Sequence, residues 1–184
     1  YMNIQKVRYK NNFSVVFDID EKIKNYLSVK LIIQPILENA IYYGVGDMDP
    51  DDEGEIRIRG WLIPDSDADP EHPISVGDIY IAVIDNGYGM PPEVCENLLK
   101  DDEEARKRVP KHGSGVGLVN VHNRIRLRFG PQYGLTAASE PDEGTTITIH
   151  LPAIPDTEEN QKMLERGQYT ARSVSGQEGG KRNA

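Results

Sequence analysis

Three short segments of the sequence carry residue types that could bind a nucleotide and a metal ion. Residues 34–40 contain an adjacent acid and amide, Glu38 and Asn39, and residues 85–90 form an acidic, glycine-containing turn. Residues 113–118 contain a glycine at every second position. In this order, the three segments predict a pocket for ATP and Mg²⁺. The pocket would lack a Walker loop, because no Gly-Lys-Ser/Thr sequence follows the glycines at the required spacing.

The acid and the amide lie on a predicted helix. Apolar side chains recur every three or four positions between residues 31 and 41, which predicts a helix near residues 28–43 with one buried face. Adjacent side chains cannot both face the core, so Glu38 or Asn39 must face a polar site, and their oxygens suit Mg²⁺. The alternative is that both side chains are simply solvated. Pro35 interrupts the pattern and predicts a kink or a lost backbone hydrogen bond.

Asp85 ends a predicted central strand. Residues 79–84 form an unbroken apolar run, which is typical of a strand covered on both faces. Gly87 and Gly89 allow the backbone to turn and to approach a ligand closely. A carboxylate beside such a turn can accept a hydrogen bond from the exocyclic amine of adenine. The alternative is an ordinary Asp-Asn-Gly turn, which ends many strands.

The glycine run precedes a second predicted helix, whose apolar residues extend from Leu118 to Phe129. Glycines before a helix expose its free N–H groups, and the helix dipole there favours an anion such as a triphosphate. The run differs from a dinucleotide-binding fingerprint, because a charged segment precedes it instead of a strand. His112 adjoins the run and is a candidate for contact with phosphate.

In combination, these segments resemble the nucleotide-binding domain of the GHKL superfamily, which includes gyrase, Hsp90, histidine kinases and MutL. They are similar to its N box and its two glycine boxes, and residues 144–146 resemble its last Gly-Thr element. The chain is more narrowly similar to sensor histidine kinases of the YesM and LytS type. The segments that carry this narrower resemblance are residues 1–9, 34–40, 117–125, 129–130 and 133–135.

The resemblance implies a fold and a set of site residues. The fold is an α/β (α+β) two-layer sandwich, in which about three helices cover one face of a mixed, mostly antiparallel sheet (the Bergerat or histidine-kinase ATPase fold). Glu38 and Asn39 would be the catalytic and metal-binding residues. The implied nucleotide-binding residues are Asn39, Tyr43, Asp85, Gly87, Gly89, Met90, His112, Gly113, Ser114, Gly115, Val116, Gly117, Leu118 and Thr145.

Two positions depart from the family pattern. Many histidine kinases have a lysine that reaches the phosphates where this chain has Tyr42. The basic residues of segment 106–111 would replace that lysine, or they are only a solvated surface. ATP-hydrolysing relatives carry a water-activating glutamate one helical turn before the N-box asparagine, and Pro35 occupies that position here. The second departure favours phosphoryl transfer over hydrolysis.

The family resemblance also implies a function and its partners. The chain would transfer the γ-phosphoryl group of Mg-ATP to a histidine on a separate dimerisation domain of the same homodimeric protein. The histidine would then pass the phosphoryl group to a response regulator. It would be a cytoplasmic domain of an inner or plasma membrane sensor. Without its acceptor domain it should bind ATP but not autophosphorylate. The alternatives are an anti-sigma-type serine kinase of the same superfamily and a non-catalytic nucleotide-sensing module, for which Tyr42 is the argument.

Composition and pattern predict the domain organisation. The net charge of −9 argues against nucleic acid as a partner. No apolar run approaches the ~18 residues of a membrane span, and we expect no signal peptide. Cys95 and His122 are expected to be packing residues.

The expected parts are the end of a preceding dimerisation helix (1–10), the ATP-binding domain (11–152) with a mobile lid at about 91–112, and a polar tail with little role (153–184). The expected strands are 13–18, 55–63 paired with 78–85, 134–139 and, as an edge strand, 145–151.

Overall fold

The computed structural model describes residues 13–49, 51–65, 75–101 and 115–167. Within them, five strands form one sheet in the order β1-β2-β3-β5-β4. Strand β1 pairs with β2 in parallel, and all other neighbours are antiparallel. The strands are β1 (Phe13–Ile19), β2 (Gly54–Pro64), β3 (Gly77–Asp85), β4 (Gly134–Glu140) and β5 (Gly144–Pro152).

The helices of the described residues are short except for one. The helix that carries the acid–amide pair changes from α to π geometry directly after Asn39 and then ends in a 3₁₀ turn. A further 3₁₀ helix lies at Glu21–Asn25. The segments are α1 (Ile33–Asn39) with its π continuation (Ala40–Gly44) and 3₁₀ turn (Val45–Asp47), α2 (Pro92–Asn97), α3 (Gly115–Phe129) and α4 (Glu158–Glu165).

Alternation along the strands divides the sheet into an inner and an outer face. In β5, Thr145, Ile147, Ile149 and Leu151 are buried, while the residues between them are partly exposed. The inner face packs against α1 and α3, which also contact each other, and these elements share one apolar core. The predicted two-layer α/β fold with a mixed, mostly antiparallel sheet is therefore confirmed.

The outer face of the sheet is covered by side chains of the sheet itself. Tyr80 stacks between Trp61 and His150, with ring centroids 5.6 and 4.5 Å apart. Strand β3 is central, as predicted, being third of the five strands. Its apolar run was expected to be covered on both faces. On the outer face, the rings of Trp61 and His150 cover Tyr80.

Two expectations about individual elements are wrong. Strand β5 lies between β3 and β4 and is not an edge strand. Its alternating pattern reflects the difference between the two sheet faces, which is independent of position in the sheet. Helix α1 begins at Ile33 instead of near residue 28, so Pro35 lies in its first turn. The N–H that proline lacks would have no intrahelical partner there, and Pro35 neither kinks the helix nor removes a bond from it.

The chain continues to contribute to the core after residue 152. Ala153 and Ile154 are fully buried, and Leu164 of α4 joins the same core. The side chain of Thr157 accepts a hydrogen bond from the backbone N–H of Asn160 and so caps α4. The expectation of a tail with little role is therefore wrong for residues 153–165, because a few apolar residues in a charged segment are enough to anchor it. The domain boundaries themselves remain predictions.

Parts of the remaining expectations lie outside the described residues. These are the helix end at residues 1–8 and the lid beyond Asp101. The described beginning of the expected lid contains α2, after which Leu98 is buried in the core. Within the described ranges, no helix is long and apolar enough to cross a membrane.

Candidate nucleotide-binding site

Asp85 is the buried acid at the centre of the candidate site. It is the last residue of β3, and only 3% of its surface is exposed. Its Oδ1 accepts hydrogen bonds from the backbone N–H groups of Gly87 and Thr145, each at 3.2 Å. Burial raises the pKa of the carboxyl from 3.8 to about 6, against the lowering effect of these two hydrogen bonds. A buried carboxylate with a raised pKa at the end of a strand is a candidate binding group.

Two glycines bring the helix that follows the acid–amide pair into contact with Asp85. Gly44 ends the π-helical continuation of α1, and a Cβ atom at this position would lie 2.5 Å from Oδ1 of Asp85. A Cβ atom at Gly87 would collide with the backbone of Gly44. Any larger side chain at either position would push the helix and the turn apart. The glycines therefore let two backbone segments close around one carboxylate.

The acid–amide pair lies on the same helix and, as predicted, is not part of the buried core. Glu38 and Asn39 are both half-buried, whereas Ile36, Leu37 and Ala40 are buried. Gln34, one turn earlier, donates a hydrogen bond from Nε2 to Oε1 of Glu38 at 3.0 Å. Within the part of the chain that the structure describes, the Asn39 amide has no hydrogen-bond partner.

Thr145 and Met90 meet at Ser139, a residue that the sequence did not single out. The hydroxyl oxygens of Ser139 and Thr145 are 3.0 Å apart, and the backbone N–H of Met90 donates to the Ser139 hydroxyl at 2.9 Å. Gly89 has a left-handed φ of +64°, and a Cβ atom there would collide with the carbonyl oxygen of Glu140. This network ties the turn after β3 to the β4–β5 hairpin. A serine on a strand carries no signal in the sequence that would reveal such a role.

Asn86 and Tyr88 hold the same turn to a different part of the chain. The Asn86 side chain donates to the carbonyl oxygen of Glu53 at 2.9 Å and accepts from the N–H of Glu55 at 2.7 Å. The Tyr88 hydroxyl accepts from the N–H of Asp49 at 3.1 Å. The sequence pattern points to the acid and the glycines of this turn but not to these two side chains, whose partners are distant in the chain.

The glycine run is described only in part. Helix α3 begins at Gly115, so Val116, Gly117 and Leu118 belong to its first turn. The Leu118 side chain is buried in the core, which makes it a packing residue. The remaining residues predicted to contact phosphate, His112, Gly113 and Ser114, lie outside the described residues, as do the basic residues of segment 106–111.

His122 is a packing residue on α3, as expected. Its Nδ1 accepts a hydrogen bond from the N–H of Leu135 at 3.0 Å, which links α3 to β4. Burial, followed by the charge of Arg126, lowers the pKa of the ring, so the imidazole stays neutral and keeps this bond. Among the described residues, no group of three or more His, Cys, Asp or Glu side chains is arranged to hold a metal ion.

Comparison with known protein families identifies the chain. Residues 24–155 match the family described as "Histidine kinase-, DNA gyrase B-, and HSP90-like ATPase". The chain is 34% identical over 152 residues to the sensor histidine kinase YesM of Bacillus subtilis and covers 22% of that protein. It is 30% identical over 156 residues to the sensor histidine kinase YpdA of Escherichia coli, again covering 22% of it. Each alignment includes 83% of this chain, which thus spans about a fifth of these relatives.

Solved structures agree on the fold. The mycobacterial sensor histidine kinase MprB superposes with a TM-score of 0.52 at 18% identity, covering 84% of this chain and 91% of that one. A nucleotide-free form of the catalytic domain of histidine kinase ThkA gives a TM-score of 0.53 at 16% identity, covering 84% and 92%. The sequence resemblance to YesM- and LytS-type kinases is confirmed, and the chain belongs to the family of histidine kinase-, DNA gyrase B- and HSP90-like ATPases.

Proposed function

We propose that this chain is the ATP-binding catalytic domain of a sensor histidine kinase and transfers the γ-phosphoryl group of Mg-ATP to a histidine on a separate dimerisation domain. The observation that carries the proposal is the buried Asp85 carboxylate, which Gly44 and Gly87 enclose. It lies next to the end of the helix that carries Glu38 and Asn39. Sensor kinases such as YesM and YpdA align with this region and support the assignment.

The Asp85 carboxylate would recognise the base. It is acceptor-only when ionised, and it would accept a hydrogen bond from the exocyclic amine of adenine. Gly87 and Thr145 donate to Oδ1, so both bonds hold the side chain in one orientation and leave Oδ2 for the ligand. Guanine carries an oxygen where adenine carries the amine, and two acceptors would then face each other.

Glu38 and Asn39 fit a site for Mg²⁺. A carboxylate and an amide oxygen are hard ligands, and Mg²⁺ typically takes only one or two from the protein while phosphates and water complete its shell. The Asn39 amide, which has no partner among the described residues, is available for this purpose. When bound, Mg²⁺ would neutralise the charge of the phosphates. Gln34, hydrogen bonded to Glu38, would orient that carboxylate toward the metal or the incoming histidine.

The wider setting is also a proposal. The protein would act as a homodimer in a two-component system, with a response regulator as the next acceptor, and this chain would be its cytoplasmic part. The relatives YesM and LytS, of which it covers a quarter or less, are named sensor proteins. Tyr42, in place of the usual lysine, is the observation that favours the second candidate, a nucleotide-sensing module without transfer.

Titration calorimetry with Mg-ATP and Mg-GTP tests this proposal. We expect ATP to bind at least about tenfold more tightly than GTP, because GTP would leave the buried carboxylate unpaired. We also expect negligible ATP hydrolysis, since Pro35 stands where ATP-hydrolysing relatives have their base. Absence of ATP binding would contradict the proposed function. Rapid hydrolysis by the isolated chain would contradict the proposed mechanism.

Substitution of Asn39 by alanine tests the metal site. The variant should lose ATP affinity by about tenfold in the presence of Mg²⁺, which corresponds to one lost charge-assisted contact. In chelator, parent and variant should bind the nucleotide with similar affinities. Asn120→Ala, at an exposed position on α3, is a matched control. An equal loss of affinity with and without Mg²⁺ would show that Asn39 is structural and that the metal lies elsewhere.

A further inference from the structure

The turn after β3 is tethered to the segment that follows the N-box helix. The Tyr88 hydroxyl accepts a hydrogen bond from the N–H of Asp49 at 3.1 Å, and 39 positions separate the two residues. The Tyr88 side chain is 43% exposed, so burial of its ring does not account for its position. The contact that distinguishes this tyrosine from a phenylalanine is therefore the hydrogen bond from its hydroxyl group.

The tethered segment, residues 45–49, begins at the centre of the site. Val45 directly follows Gly44, whose Cα lies against the Asp85 carboxylate. Val45 is buried and Met48 packs against the core, so the segment is anchored at its start. On the far side, Asn86 holds Glu53 and Glu55. Asp49 thus lies between two anchored regions, and the Tyr88 hydroxyl fixes it directly to the turn that carries Asp85.

We propose that Tyr88 is a positioning residue that holds the turn carrying Asp85 against residues 45–49, at the base end of the nucleotide site. This inference rests on the proposed function. If the tether breaks, the turn that carries Asp85 is no longer fixed to Asp49, and a smaller fraction of molecules holds the carboxylate in the position that binds the base. Apparent affinity falls in proportion to that fraction. The bound nucleotide also dissociates faster, because movement of the turn precedes its release.

The variant Tyr88→Phe tests the tether, because it removes the hydroxyl and retains the ring. Tyr80→Phe is the control, since Tyr80 lies on β3, before the turn, and on the outer face of the sheet. In nucleotide-free protein, amide exchange at Asp49 should accelerate in Tyr88→Phe and remain unchanged in Tyr80→Phe. Affinity for ATP should fall about three- to tenfold, the effect of one typical hydrogen bond. This loss should appear as faster dissociation, with the melting temperature unchanged.

The outcomes separate this inference from the proposed function. If the parent binds ATP and Tyr88→Phe binds and releases it at the same rate, the positioning role is overturned while the function stands. Unchanged amide exchange at Asp49 would show that the tether does not hold the segment in solution, which also overturns the inference. If the parent itself binds no ATP, the proposed function fails and the role of Tyr88 fails with it. A drop in melting temperature that matches the affinity loss would reduce Tyr88 to a structural residue.

Discussion

Replacing Asp85 with asparagine should weaken ATP binding about ten- to a hundredfold, which corresponds to the ~1–3 kcal/mol cost of a mismatched buried polar group. The amide oxygen of asparagine can still accept from Gly87 and Thr145, as Oδ1 of Asp85 does. The amide nitrogen then occupies the place of Oδ2 and directs its hydrogens toward the adenine amine. Two donors would face each other in a site that excludes water.

The same substitution should stabilise the nucleotide-free domain at neutral pH. The folded-state pKa of Asp85 is about 6, against an ordinary value of 3.8, so the folded protein binds this proton more tightly than the unfolded chain. The stability contributed by the protonated carboxyl is fully present below the pKa of the unfolded state. It is lost as the pH rises through the pKa of the folded state. Each pKa unit corresponds to about 1.4 kcal/mol. Above pH 6, the buried charge therefore lowers the free energy of unfolding by at most about 3 kcal/mol.

Urea unfolding of parent and variant at about pH 4 and about pH 8 measures this effect. The free energy of unfolding of Asp85→Asn should exceed that of the parent at the higher pH, and the difference should shrink toward the lower pH. Asp52→Asn, at an exposed position before β2, is the control. Equal pH dependence in parent and variant would contradict the argument. A variant that both binds ATP as the parent does and is less stable would show that Asp85 is a structural acid.

The pH dependence of ligand binding follows from the same group. Protonated Asp85 offers a donor where adenine needs an acceptor, so ATP affinity should fall as the pH drops below about 6. The family resemblance pointed to Asp85 but not to this property, which depends on burial. Burial is the largest cause of the raised pKa, and Gly44 is one of the residues that bury the carboxyl.

Local patterns predicted most of the fold. The alternation in residues 145–151 and the apolar run 79–84 identified β5 and β3, because side-chain period follows directly from strand geometry. The position of β5 within the sheet was missed, since alternation reports which face is buried and carries no information on the neighbouring strand. Likewise, the helix at Glu158–Glu165 was missed, because the only residue that anchors it in the core is Leu164.

The site was predictable where its residues form a local motif. Glu38, Asn39, Asp85 and the glycines carry family signatures, and the structure brings Asp85, Gly87 and Thr145 together. Ser139 and Tyr88 were not found, because they act through partners that only the folded chain identifies. Gln34 was also missed, although its partner Glu38 lies four positions away on the same helix. Gly44 stands at the end of an apolar helix, but this position alone does not reveal its role in the site. Glycine is common at helix C-termini because of the backbone conformation there. Its close approach to Asp85 is a tertiary property.

In a protein that joins this chain to the proposed dimerisation domain, Glu38→Gln should lower the rate of phosphoryl transfer by about a hundredfold or more, the usual contribution of a general base. Glutamine retains an oxygen for the metal ion and the contact with Gln34, but it cannot take a proton from the attacking histidine. ATP affinity should therefore change by less than about threefold, since an oxygen ligand is preserved. Glu93→Gln, at an exposed position on α2, is the matched control.

The product of this reaction distinguishes the candidate functions. Phosphohistidine is labile in acid and stable in base, so the parent protein should yield a phosphoryl group with that behaviour, and Glu38→Gln should yield little of it. A product that survives acid would indicate phosphoserine and the anti-sigma type of kinase. ATP binding without any transfer in the parent would favour the nucleotide-sensing module and implicate Tyr42. If Glu38→Gln transfers as fast as the parent, Glu38 is not the base.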